Sequence, residues 1–356
     1  MSHMFVPGPV DVAPEVMQAM TKPLLPHRSK EYEEIFHRAA KKCEPLFYTK
    51  YRVFIGTHSG SGMQEAGICS LVNTDVLTCV NGAFAKRWYE IALAYGKQAD
   101  ILETEWDKPI TPELLREALK KKHYEAIAIV HNETSTGMEN PVKELCQVVQ
   151  EVSPDTLVLV DAVSSLAGTK IEMDAWGIDF LLTSSQKCLA LPPGLSLAGC
   201  NDRALEKAAT VKNRGWYFDL VTMEKFRTKN STGMTSAVTL VYGLDYQLDR
   251  IFEEGLDARF ARHAAMSQYV YDWAASHGME PYAIEGYRSK TVATIKNTIA
   301  MDISALNKYL LEREMRISNG YGNLKDITFR IATMGETQMG DVQMLLSHID
   351  EFIKLQ

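Results

Sequence analysis

Four short apolar runs rich in β-branched residues constrain this chain more than any other feature. They are DVLTCV (75–80), AIAIV (126–130), TLVLVDAV (156–163) and FLLT (180–183), each of strand length and bounded by turn-forming residues. Continuous apolar character, without alternation, suits strands covered on both faces. Between the runs lie FAKRWYEIALAYG (84–96), TPELLREALKKKH (111–123) and NPVKELCQVVQEV (140–152), whose apolar positions recur at three-to-four spacing. In the second of these, Thr111 is expected to cap a helix whose first position is Pro112. Strands alternating with helices imply an α/β fold, a mainly parallel sheet between layers of helices. Chemistry in such sheets gathers at the carboxyl ends of the strands.

From about residue 250 the pattern changes. A helical stretch over about 251–277 leads to SKTVATIKN, a helix over about 304–314, ITFRIATM and a closing amphipathic helix. The expectation is a large domain over 15–250 and a smaller C-terminal α+β domain over 251–356, which the N-terminal segment 4–14 joins.

Composition narrows the function classes. A net charge of −7 over 356 residues argues against a nucleic-acid footprint, and no apolar run approaches the ~18 residues of a membrane span. The six cysteines are scattered in apolar contexts without a Cys-x-x-Cys pair, which suggests reduced core thiols and a cytoplasmic setting. His131-x-Glu133 lacks the downstream Pro-Cys-x-x-Cys of a zinc deaminase, so no metal site is expected.

Several strand ends carry reactive residue types. Asp161 closes one apolar run, and Thr134, Ser135 and Thr136 lie just beyond another. In DFLLTSSQKCLALPPG, Lys187 follows a core strand and small hydroxyls, and Pro192-Pro193-Gly194 stops the chain from continuing as a helix or central strand. Phe84 follows TCVNGA, and THSGSGMQEAGICSL (57–71) is a Gly/Ser turn opening into a helix, whose free N–H groups suit an anion. Each is ordinary by itself: a turn-forming Asp, a solvated Lys, a core Phe. Together they match the needs of pyridoxal phosphate, which has a phosphate, a ring to stack, a ring nitrogen whose proton a carboxylate can hold, and an aldehyde that an amine captures.

The same segments carry a family resemblance. VPGPVDVAPEV, HRSKEY, SGSGMQEA, VNGAFAKRW, HNETSTG, VDAVSSLAG, DFLLTSSQKCLALPPG, EGLDARFARH and TFRIATMG occur in an order and spacing that resembles class V aminotransferases of fold type I, nearest the alanine–glyoxylate and serine–pyruvate group. The resemblance implies that Lys187 is the lysine joined to pyridoxal 5'-phosphate and that Asp161 is its catalytic companion at the ring nitrogen. It implies a phosphate loop of Ser61, Gly62 and Met63 aided by Gln186, with Phe84 stacking on the ring and Ser135 and its neighbours near its phenolic oxygen. Thr235 would reach the cofactor phosphate across a homodimer interface, making the active site shared, and Arg330 would grip the substrate's α-carboxylate. STGMTS departs from the family in lacking prolines and a nearby tyrosine, and Met63 stands where relatives carry a smaller residue or His. His27 and Arg28 match a segment near the active site without an assigned contact.

The implied reaction is ping-pong amino transfer between alanine or serine and glyoxylate or pyruvate. A phosphoserine aminotransferase would need extra cations, for which His27, Arg28, Arg87, Arg214 and Arg288 are available. A lyase such as a cysteine desulfurase would need a mobile cysteine, and an interaction subunit without catalysis would not need Lys187 and Asp161 intact.

Overall fold

The computed structural model describes residues 3–355. Its larger sheet has seven strands in the spatial order Arg52–Gly56, Ser196–Cys200, Phe180–Ser184, Leu157–Asp161, Ala126–Val130, Asp75–Val80 and Gln98–Glu103. Ser196–Cys200 is antiparallel to both neighbours, and the other pairings are parallel. All four expected strands are present. Their continuous apolar character has a direct cause, since alternate residues enter cores on opposite faces. Ile127, Ile129, Val158 and Val160 join one core, and Ala126, Ala128, Leu157 and Leu159 join the other.

Register aligns the strand ends that matter. Val130 stands opposite Asp161, and Asp161 opposite Leu182, so Asn132, Asp161 and Ser184 reach one edge of the sheet.

Helix boundaries follow local chemistry. The Thr111 hydroxyl accepts from the Leu114 N–H at 3.4 Å, and Pro112 opens the helix Pro112–Lys121. The next helix, Val142–Val152, starts only after Pro141. The helix expected over 251–277 is in fact two, Val238–Glu254 and Leu256–Ser276. Gly255 separates them with φ +83°, a left-handed value that breaks the helical hydrogen-bond ladder and favours glycine.

A second sheet has five strands in the order His3–Phe5, Met315–Asn319, Thr328–Ala332, Val292–Lys296 and Glu280–Pro281. Its own core includes Phe329, Ile331, Val342, Leu345 and Ile349, burying one face of the closing helix Met339–Leu355. The N-terminal strand pairs in parallel with Met315–Asn319. From there the chain crosses to the large sheet, where the Val10 N–H donates to the Gln186 carbonyl at 3.2 Å. Among the described residues no helix is long and apolar enough to cross a membrane.

Candidate active site

Lys187 lies in the turn that leaves the strand Phe180–Ser184. Ser185 organises that turn: its hydroxyl donates to the Pro192 carbonyl at 2.7 Å and accepts from the Leu195 N–H at 3.2 Å. The lysine Nζ donates to the Pro7 carbonyl. Gly8 makes this approach possible: its φ is +95°, and a Cβ there would lie 2.6 Å from Lys187 Cδ. Burial lowers the Lys187 amine to about 8, because desolvation disfavours the ammonium.

Asp161 ends the neighbouring strand. Its Oδ1 accepts from the Val163 N–H at 2.7 Å and its Oδ2 from Gln64 Nε2 at 2.8 Å. Burial still raises its carboxyl to about 6, against the effect of the Val163 N–H.

These two groups share a cleft of about 570 Å³, counting its solvent mouth, which Ser61, Phe84 and Gln186 also line. Of the three residues expected to form the phosphate loop, Ser61 alone lines the cleft. Ser59, Gly60 and Ser61 line the cleft, whereas Gly62 and Met63 do not. The helix Gly60–Leu71 begins at Gly60, so uncommitted N–H groups belong to its first turn. The Gly62 N–H already donates to the Ser59 carbonyl at 2.9 Å, and Met63 is fully buried in the core. Gly60 passes so close to Val163 that a Cβ would lie 2.6 Å from its Cγ2.

Of Ser135 and its neighbours, Ser135 itself is engaged elsewhere. Fully buried, it donates through its hydroxyl to the Glu133 carboxylate at 2.6 Å and accepts from the Ala83 N–H at 3.1 Å. That hydroxyl is committed away from the cleft, and Thr134 lines the cleft instead. Burial raises Glu133 above the usual carboxylate range, even though it also accepts from the Ala85 N–H at 2.8 Å. Thr235 lines a different groove, with His58, Tyr217 and Arg227, and does not reach the Lys187 cleft within one chain.

Arg330 projects from the strand Thr328–Ala332 of the second sheet. Its Nη1 donates to the Thr134 carbonyl at 3.2 Å and its Nε to the Asn319 carbonyl at 3.1 Å. It forms no ion pair among the described residues, and burial lowers it to about 10. Nη2 makes no hydrogen bond among the described residues.

The lining residues Gln64, Asn132 and Ser184 gave no signal in the sequence, and Arg87 entered only as a candidate for a second phosphate. Arg87 donates to the Ser61 hydroxyl at 2.9 Å, and its guanidinium lies 5.0 Å from the Phe84 ring. Their three-residue spacing on one helix was the available signal. Gln64 Oε1, both amide atoms of Asn132, and Ser184 Oγ are buried without partners. Such orphaned atoms call for a ligand or water. With an amine, a carboxylate, an aromatic ring and a first-turn anion cradle, this cleft fits pyridoxal phosphate.

Other expectations about chemistry can be placed as well. Of the five cations that could hold a second phosphate, Arg87 alone lines the cleft. Arg214 pairs with Asp219 at 2.8 Å, and Arg288 lies 5.7 Å from the Tyr271 ring. All six cysteines are free and buried, and burial raises Cys188 to about 11.

The model of the class-V aminotransferase family matches residues 19–333. An uncharacterized aminotransferase of Methanocaldococcus jannaschii is 34% identical over 357 residues, covering 99% of this chain and 92% of the relative. The L-aspartate–glyoxylate aminotransferase of Paracoccus denitrificans is 29% identical, covering 93% of this chain and 86% of its own. Among solved structures, an alanine–glyoxylate aminotransferase from Nostoc sp. superposes with a TM-score of 0.94 at 28% identity, covering 99% of this chain and 95% of its own.

Proposed function

Since the chain belongs to the class-V aminotransferases, with their fold type I architecture, we propose that it uses pyridoxal phosphate to move an amino group between alanine or serine and glyoxylate or pyruvate. The observation that carries the cofactor reading is the convergence of a desolvated Lys187, a buried Asp161 and orphaned polar atoms on one cleft. The L-aspartate–glyoxylate and alanine–glyoxylate aminotransferases that this chain resembles share glyoxylate, which supports the acceptor.

Bound there, pyridoxal phosphate would supply an aldehyde that condenses with amines and a protonated ring that draws electron density from the donor's Cα. Every other role falls to this chain. Lys187, uncharged above about pH 8, is the nucleophile toward the aldehyde and the base that removes the Cα proton. Asp161 holds the proton on the ring nitrogen. The first-turn N–H groups of Ser59–Ser61 and the side chains of Ser61 and Gln186 hold the phosphate, with Arg87 behind Ser61. Phe84 stacks on the ring. Ser135 acts one step away, by fixing Glu133 and the start of the Phe84 helix. Arg330 grips the α-carboxylate with the nitrogen left free by its two backbone bonds.

We further propose a cytoplasmic homodimer in which Thr235 serves the partner's cofactor. Its groove shares Thr57 and His58 with the segment that runs into Ser59. The second sheet's own core, which Phe5 joins, supports a small domain of 251–356 with 4–14 beside a large one of 15–250, with Val10, Val292 and Ala332 packing into the larger core where the two meet. Small donors are favoured over phosphoserine because Arg87, the one extra cation in the cleft, is already on Ser61.

Half-reactions test this reading. Alanine or serine should bleach the near-visible absorption of the purified protein, and glyoxylate should restore it. Bleaching by phosphoserine alone would reverse the choice of donor.

A further inference from the structure

Tyr321 stands in the turn between the strands Met315–Asn319 and Thr328–Ala332. The turn is closely specified. The Asn319 side-chain oxygen accepts from the N–H groups of Gly320 at 2.7 Å and Asp326 at 2.8 Å, and its Nδ2 donates to Asp326 Oδ1 at 2.6 Å. The Tyr321 carbonyl accepts from the Leu324 N–H at 3.0 Å. A Cβ on Gly320 would fall 1.8 Å from the Leu324 carbonyl oxygen, so only glycine fits immediately before the tyrosine.

This anchored turn presents a ring that is 39% exposed. The ring centroid lies 5.2 Å from that of Phe84, tilted by 38°, and 5.6 Å from the Arg330 guanidinium carbon. Phe84 belongs to the large sheet's side of the cleft and Arg330 to the second sheet. The tyrosine therefore bridges the two sheets' sides beside the cleft, against its lining residue Phe84. Its hydroxyl makes no hydrogen bond among the described residues, so the ring accounts for the contacts.

We propose that Tyr321 determines which amino donors this enzyme accepts, by filling the space between Phe84 and Arg330. The proposal rests on the reading of Arg330 as the carboxylate anchor. Aromatic rings with centroids about 5 Å apart are in contact. Inserting a further layer needs roughly 3.5–4 Å on each side of it, which this spacing does not leave. A donor held by its carboxylate on Arg330 has its Cα beside that ring. Methyl and hydroxymethyl side chains are short enough to pass it, whereas a benzyl side chain must displace it.

The test compares the holoenzyme with Tyr321→Ala, Tyr321→Leu and Tyr321→Phe. One readout is the ratio of kcat/KM for phenylalanine to that for alanine. The other is calorimetric binding of two unreactive carboxylates, 3-phenylpropionate and propionate. Tyr321→Ala should raise both ratios at least about tenfold, the range expected when a pocket gains or loses a few carbons of space. Tyr321→Leu should move them the same way by a smaller factor, which keeps the test usable if the alanine variant does not fold. Tyr321→Phe should stay within about twofold, because the ring is retained. Ratios within about twofold in both truncated variants, or an equal shift in Tyr321→Phe, would overturn the proposal. If the wild type turned over neither amino acid, the assigned donors would fail, while the two binding ratios would still decide the role of Tyr321.

Discussion

Around Gly255, Arg259 is buried to 1% exposure and its charge is matched on every side. Its Nη1 donates to Glu254 at 2.6 Å, its Nη2 to the Cys188 carbonyl at 2.8 Å, and its Nε to the Ala167 carbonyl at 3.1 Å. Arg262 pairs with the same Glu254 at 2.6 Å, and Glu336 accepts from Arg250 at 3.0 Å. A residue away along the chain, Lys187 has one backbone carbonyl and no carboxylate partner among the described residues, where Asp161 is met by an amide and an N–H rather than by a cation. The acids record the contrast. Burial pushes Glu254 and Glu336 up, but the arginines outweigh it and hold both below the usual range. At Asp161 burial prevails. Paired charge fixes a scaffold; unpaired charge is held ready for a ligand.

The largest expected effect should therefore fall on the scaffold. Arg259→Met removes a buried cation from the half-buried carboxylates of Glu254 and Glu336 and from two buried carbonyls, and should lower unfolding stability by about 3–5 kcal/mol in urea titrations. A loss below about 1 kcal/mol would erase the contrast between the regions.

The next effect belongs to Arg330, bonded to the carbonyl of the cleft-lining Thr134. Arg330→Lys should keep the cofactor absorption but lower kcat/KM for carboxylated donors and acceptors by about 2–4 kcal/mol. A lysine cannot reproduce the planar fork that holds two carbonyls and still faces a carboxylate. Equal losses on amines lacking a carboxylate would move Arg330 into the structural class.

The smallest effect is a pH dependence. The uncharged amine is the nucleophile, and the Lys187 amine is lowered by burial to about 8. Cofactor capture by the apoprotein should thus rise about tenfold per pH unit below that value, ~1.4 kcal/mol each, and level off above it. A rate still climbing steeply near pH 10 would mean a solvated lysine.

How much of this was legible in the sequence depended on how each residue earns its place. The four central strands were readable because burial on both faces demands unbroken apolar runs. Gln98–Glu103, an edge strand of sequence QADILE, is largely exposed and carries no such run. The break at Gly255 needed helix geometry, since one glycine inside a helical pattern does not announce its φ. Lys187 and Asp161 were readable as reactive types at strand ends. Within the Gly/Ser turn of 57–71, only the helix start at Gly60 and the cleft lining distinguish Ser59–Ser61 from Ser61–Met63. Gln64 and Arg87 look like ordinary polar helix residues until the fold turns them toward Asp161 and Ser61. Tyr321 gave no signal, because its contacts with Phe84 and Arg330 are made between distant segments.

One measurement bears most directly on the claim that the unpaired amine in the cleft is the catalytic one. Borohydride treatment of the yellow holoenzyme, followed by peptide mapping, should find the cofactor fixed on Lys187, and Lys187→Ala should lose both that product and turnover while staying folded. Cofactor fixed on any other lysine would contradict the account.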